Sequence, residues 1–168
     1  MDQQANKKTY FRAPWSNSLT ISTIFFVVLL GIGVIITNGL PSILIAVILL
    51  SGLLLSVTGY SLKNGRLYIH RLGWRNSLEL AKLTSLEIRP DATQGSIRVL
   101  GIGGMFSSVG YFNNSLLGRY RAYLTDAQRA VVLDFDGQVV VISPDDPHEF
   151  ARAVREITHE ITVHHERS

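Results

Sequence analysis

The sequence predicts an α+β protein in which a two-helix transmembrane hairpin leads into a bent antiparallel β-barrel or sandwich closed by one C-terminal helix. Three observations carry this reading. Ala13 to Leu62 contains no Asp, Glu, Lys, Arg or His. After Tyr60 the continuous apolar pattern gives way to short alternating runs separated by Gly, Asn and Asp, as in strands joined by hairpins. Near the end, Asp146-Pro147 opens a segment whose apolar residues recur at helical spacing.

Residues 1–18 read as a cytoplasmic tail and 19–37 as the first helix. Thirteen of its nineteen residues are Leu, Ile, Val or Phe. At 1.5 Å per residue, such a helix just crosses a hydrocarbon core of about 30 Å. Asn38-Gly39-Leu40-Pro41 breaks the run, and residues 40–60 form the second span. Two wholly buried helices of a soluble domain would need apolar cover on every face, more than 168 residues supply. A cleaved signal peptide is disfavoured by the length of the apolar core and the lack of a small-residue cleavage site after it. Lys7, Lys8 and Arg12 precede the first helix, Lys63, Arg66 and Arg71 follow the second, and the connecting turn carries no cation. Both termini are therefore expected in the cytoplasm, with the chain integral to the plasma (inner) membrane. Trp15 and Tyr60 would sit at headgroup depth. Gly31, Gly33 and the pair Gly52 and Ser56 offer small faces, first for packing within the hairpin and second for association with another membrane protein, a second copy included.

The cytoplasmic part is expected over residues 61–163, with 164–168 as a tail. Lys63-Asn64-Gly65-Arg66 is a tight turn, and Arg66 to Arg71 alternates. Arg75 to Leu80 and Ser85 to Arg89 are the next strands, joined by a short connection with room for one helical turn. Arg119 to Thr125 alternates, and Ala130 to Phe135 pairs with Gln138 to Ser143 across Asp136-Gly137. Asp146 caps the last helix, with Pro147 at its first position and Glu149 at capping-box spacing. Phe150, Ala153, Val154, Ile157 and Ile161 form its buried face. About seven short antiparallel strands result. Between Gln94 and Gly118 six glycines are spread among Met105, Phe106, Tyr111 and Phe112, and this stretch reads as a long irregular loop, functional or mobile.

The run Gly101-Ile-Gly-Gly-Met-Phe-Ser-Ser-Val-Gly-Tyr-Phe112, then Leu117-Gly-Arg-Tyr120, Tyr123-Leu-Thr-Asp126 and Val140-Val-Ile-Ser-Pro-Asp-Asp-Pro-His-Glu-Phe150, resembles a family of bacterial pleckstrin-homology (PH)-like domains across about residues 61 to 160. The resemblance implies a bent antiparallel barrel capped by its last helix and frequently attached to transmembrane segments. It names a fold and leaves the activity open. Lipid-reading PH domains carry basic residues around the first hairpin, and Lys63, Arg66 and Arg71 occupy the similar place.

Several function classes are set aside. From Ser61 onward thirteen Lys and Arg face twelve Asp and Glu, with no long basic stripe, so nucleic acid is not an expected partner. Zero cysteines exclude disulfides and thiolate chemistry. Gly101-Ile-Gly-Gly lacks the strand-to-helix setting and the Gly-Lys-Ser or Gly-Lys-Thr ending of a phosphate loop. Glu160 and His164 stand four apart on a helix, but two ligands do not close a metal site. Asp134, Asp136, Asp145 and Asp146 are explained by turns and a helix start. No catalytic residue, metal site or cofactor is expected. The chain reads as a membrane-anchored adaptor that binds a protein partner, with Arg98, Met105, Phe106, Tyr111 and Phe112 as contacts. Anionic-lipid sensing through Lys63, Arg66 and Arg71 is the alternative.

Overall fold

A computed structural model describes residues 9–105 and 107–165. The first element departs from expectation. Tyr10–Arg12 is a strand, β1, paired antiparallel with β2 (Val57–Lys63) so that Phe11 faces Tyr60. Phe11 is fully buried and meets the Phe150 ring edge-on at 5.1 Å. Part of the expected tail is thus built into the domain, because one buried aromatic and a strand edge hold it there.

Helix α1 (Asn17–Ile36) starts at Ser16, whose Oγ accepts from the Leu19 N–H at 3.1 Å. Gly39, at φ 74°, turns the chain into α2 (Leu40–Leu54), with Pro41 in its first turn. The two helices pack together, and a Cβ on Gly33 would lie 3.2 Å from Ile45 Cδ1. Gly33 therefore does serve close packing inside the hairpin, whereas Gly31 has nothing within 4 Å. By length and composition α1 could cross a membrane, and only Leu19 and Thr23 of its twenty residues are buried.

The second helix ends at Leu54, well short of the expected Tyr60, and at fifteen residues is shorter than a full span. Val57 and Tyr60 instead point from β2 into the core. An uninterrupted apolar run does not reveal where a lipid-facing helix stops and a buried strand begins, since both call for the same residues. Tyr60 accordingly sits between sheets rather than at headgroup depth.

Two sheets follow. The first is β1-β2-β3-β4, all antiparallel, with β3 at Arg66–Arg71 and β4 at Arg75–Glu79. The second has the order β5-β9-β10-β8-β7-β6: β5 Ser85–Ile88, β6 Ile97–Met105, β7 Ser107–Asn114, β8 Gly118–Leu124, β9 Val131–Phe135 and β10 Gln138–Ile142. Asn64-Gly65 and Asp136-Gly137 both carry positive φ at two successive residues, as mirror-image hairpin turns require. The expectation of a wholly antiparallel domain is corrected at one place, since β10 runs parallel to β8. The β9–β10 hairpin folds back so that β10 inserts between β9 and β8, a placement no local pattern encodes.

Leu67 and Ile69 of the first sheet meet Leu133, Val140 and Ile142 of the second in the main core. Helix α3 (Pro147–His165) closes one side with Phe150 and Val154 fully buried. Its Asp146 cap accepts from the Glu149 N–H at 2.8 Å. Tyr60 joins the layers: its hydroxyl donates to the Tyr123 carbonyl at 2.6 Å and accepts from the Ser143 N–H at 3.1 Å. Burial pushes this phenol up to about 12, against the lowering effect of Ser143.

Candidate functional site

The stretch from Gln94 to Gly118, expected as an irregular loop, is mostly a β-hairpin. Strands β6 and β7 pair antiparallel, with register shifts between Arg98 and Leu100 and between Ile102 and Met105. Those irregularities and the glycines break the alternation by which a strand is read, which is why the segment looks unstructured in sequence. Asn114 pins the base of the hairpin. Its Nδ2 donates to the Ala92 carbonyl at 2.7 Å, and its Oδ1 accepts from the Leu117 N–H at 2.7 Å. Nothing in the sequence marks Asn114 as special, because both partners are brought to it by the chain's return.

β6 is the edge of its sheet and adjoins α1. Ile97, Val99 and Leu100 are 73, 55 and 68% exposed along it. Sequence reasoning missed all three. It asked which residues lie in an odd loop, whereas the relevant signal is apolar residues on a strand with a neighbour on one side only.

The five expected partner contacts do not form one patch. Arg98 lies exposed on β6, opposite Phe112. Met105 ends β6, and Phe106 lies outside the described residues. Tyr111 and Phe112, being consecutive on a strand, face opposite ways. Phe112 stacks on Tyr120 at 5.9 Å on the outer face of the second sheet. There it helps line a cavity of about 340 Å3 against the start of α1, together with Ser16, Leu19, Ser22 and Ser108. Tyr111 lies on the inner side, where the guanidinium carbons of Arg119 and Arg121 stand 5.1 and 5.5 Å from its ring.

The three expected headgroup residues are also separated. Lys63 and Arg66 flank the β2–β3 turn, and Arg71 ends β3 at its other end. Five residues of strand put roughly 16 Å between Arg66 and Arg71. Arg66 is held by Glu79 at 2.6 Å. The Glu79 carboxyl is kept below its usual range by a hydrogen bond from Lys82 and by the charges of Lys82 and Arg66. Arg71 has different company: its guanidinium carbon is 4.7 Å from the Tyr123 ring and 5.3 Å from that of Trp74. Arg121 lies 5.2 Å from the same Tyr123 ring. The β3–β4 turn beside it joins the end of α2, where Gly73 N–H donates to the Leu54 carbonyl at 3.2 Å.

On the outer face of the first sheet, His70 Nε2 lies 2.7 Å from Ser61 Oγ. Burial, then the charge of Arg75, lowers the His70 pKa, so the imidazole is neutral near pH 7. Among the described residues no three His, Cys, Asp or Glu side chains converge as metal ligands would.

No curated protein and no solved structure matches the chain at a significant level. The profile of the bacterial PH domain matches residues 58–157, from β2 through most of α3. A match over more than half the chain, on two packed sheets closed by a C-terminal helix, establishes that this protein belongs to the bacterial PH domain family, whose fold points to a binding role rather than to catalysis.

Proposed function

We propose that the chain is a membrane-anchored, non-catalytic adaptor whose β6 edge receives an extended segment of a membrane-bound protein partner at the cytoplasmic surface. The exposed apolar edge carries this reading. An edge strand offers main-chain hydrogen bonds on its outer side to an added strand, and Ile97, Val99 and Leu100 supply apolar contacts. The edge adjoins α1, so a partner in the same bilayer meets it at high effective concentration. The domain is joined to the start of α1 by β1 and to the end of α2 by β2. This connectivity fits a hairpin whose two open ends face one side, which the flanking cations assign to the cytoplasm.

The test is photo-crosslinking in native membranes from probes at Val99 and Leu100. A partner captured by the intact chain and lost in Val99→Lys, with folding retained, supports the adaptor. Capture that is indifferent to Val99→Lys removes the edge from the proposal.

Anionic-lipid sensing is the second reading. Lys63 and Arg66 lie away from the helix end, but Leu72 and Trp74, 55 and 48% exposed, stand beside Arg71 on the turn that touches α2.

A further inference from the structure

The cavity of about 340 Å3 against the start of α1 lies on the outer face of the second sheet rather than on the β6 edge. Its volume is at the lower end of the range usual for small-molecule sites, about 300 to 1,000 Å3. One wall comes from α1 through Ser16, Ser18 and Ser22, and the opposite wall from β7 and β8 through Ser108, Phe112 and Tyr120. Thr93 and Ser96, in the β5–β6 connection, close one end. Eight of the fourteen described residues that line it carry a hydroxyl. Capping accounts for a serine at the helix start, but not for hydroxyls that converge from three separate segments.

Most of these hydroxyls are committed within the protein. Ser16 Oγ accepts from the Leu19 N–H, Ser22 Oγ donates to the Leu19 carbonyl at 3.0 Å, Ser96 and Tyr120 bond each other at 2.7 Å, and Thr125 Oγ1 lies 3.2 Å from Ser143 Oγ. Ser18, Thr93 and Ser108, one from each segment, make no side-chain hydrogen bond with another described residue. Charge narrows the occupant further. No Lys, Arg or His is among the described lining residues, so an anion would enter without a counterion and lose its hydration unrepaid. The one acid, Asp126, already accepts from the Gln128 N–H at 3.0 Å and stands 3.4 Å from Arg129 Nε, so its charge is balanced before any cation arrives. Leu19, Phe112, Ala122 and Leu124 add apolar surface, with the Phe112 ring stacked on Tyr120. The matching occupant is uncharged, with an apolar C–H face and a rim of groups that both donate and accept, as the rotating protein hydroxyls do. A sugar ring is such a molecule.

We infer that this cavity binds an uncharged sugar, held through the hydroxyls of Ser18, Thr93 and Ser108 with its ring against Phe112. The same chemistry is offered by a free sugar and by the headgroup of a neutral glycolipid. The site is independent of the β6 edge, and the glycolipid source alone rests on the membrane placement proposed above. One wall belongs to the anchoring helix and the other to the domain, so a bound sugar bridges them and reinforces a junction where the Ser16 N–H donates to the Thr125 carbonyl at 3.1 Å.

Trp15 immediately precedes the α1 wall and the chain has two tryptophans, so Trp74→Phe leaves Trp15 as the sole indole reporter. This full-length protein is placed in phosphatidylcholine nanodiscs and titrated with methyl glucoside, methyl galactoside, methyl mannoside and glucose 6-phosphate, and is separately reconstituted with increasing fractions of monoglucosyldiacylglycerol or monogalactosyldiacylglycerol. Trp15 emission is expected to respond to at least one uncharged probe, with apparent affinity about threefold to tenfold weaker in Thr93→Val and in Ser108→Ala, the loss typical of one neutral hydrogen bond. Ser77→Ala, on β4, is the control and is expected to bind as the parent does. A response to a soluble glycoside, weakened in the two variants, supports the site with a free sugar as ligand. A response confined to a glycolipid, weakened in the same variants, supports the site with a lipid-borne sugar. No response to any uncharged probe, equal binding by folded Thr93→Val and Ser108→Ala, or tighter binding of glucose 6-phosphate than of methyl glucoside overturns it. Should either variant fail to fold, Ser18→Ala, at an exposed helix position, decides: unchanged binding overturns the site and weakened binding supports it.

Discussion

The hydroxyl of Tyr60 bonds two backbone groups, the Tyr123 carbonyl on β8 and the Ser143 N–H just past β10, from a side chain with no solvent exposure. Tyr60→Phe leaves both without this partner and is expected to destabilise the domain by about 1 to 3 kcal/mol, read from denaturant unfolding in detergent. The same phenol sets an alkaline limit. Its folded pKa of about 12 is raised above the ordinary 10, so folding favours the protonated form. That stabilisation is complete below pH 10, falls as pH rises toward 12, and is absent from Tyr60→Phe, which a comparison of melting temperatures across this range detects. His70 works in the opposite direction. Its lowered pKa means that folding favours the neutral ring, so stability present above the ordinary His pKa of about 6.5 is lost as pH falls through the folded value. His70→Gln is expected to flatten the acid side of the melting profile. None of this was legible in the sequence, where Tyr60 reads as an interfacial ring. Burial decides both, opposed by Ser143 at Tyr60 and joined by the charge of Arg75 at His70.

Strand β1 is the element that most depends on a single backbone position. A Cβ on Gly59 would stand 2.8 Å from the Phe11 carbonyl oxygen and would also collide with the Tyr10 ring. Backbone cannot yield there without separating β1 from β2, so Gly59→Ala is expected to release β1 at about 1 to 3 kcal/mol, the range of an overpacked site. Limited proteolysis between Tyr10 and Arg12 reports it, with cleavage rising in the variant and unchanged cleavage counting against the strand's docking. Elements written in local pattern were legible: the two mirror-image turns, β3, the β9–β10 hairpin and the face of α3. Elements defined by their partners were not. β1 is three residues long, and β6 carries glycines and two irregularities, so neither shows a period until a neighbouring strand imposes one.

At the scale of the whole chain, the absence of cysteine makes topology directly measurable. Single cysteines at Asn38, in the turn between the two helices, and at Lys63, in the domain beyond the hairpin's open end, report its two sides. An impermeant thiol reagent is expected to label Asn38→Cys in intact cells and Lys63→Cys only after permeabilisation; the reverse pattern, or equal labelling of both, contradicts the proposed cytoplasmic placement of the domain. The fifty-residue uncharged run, the hairpin turns and the capped last helix were determined by sequence alone, because hydropathy, positive-φ turn residues and helix capping act within a few neighbouring residues. The end of α2, the docking of the N-terminal strand, the parallel β8–β10 pair, the β6 edge and the placing of Arg71 and Arg121 beside Tyr123 were decided only by tertiary structure. Each depends on which distant segment fills the space beside it, and a side chain's partners across a sheet or between sheets have no fixed separation along the chain.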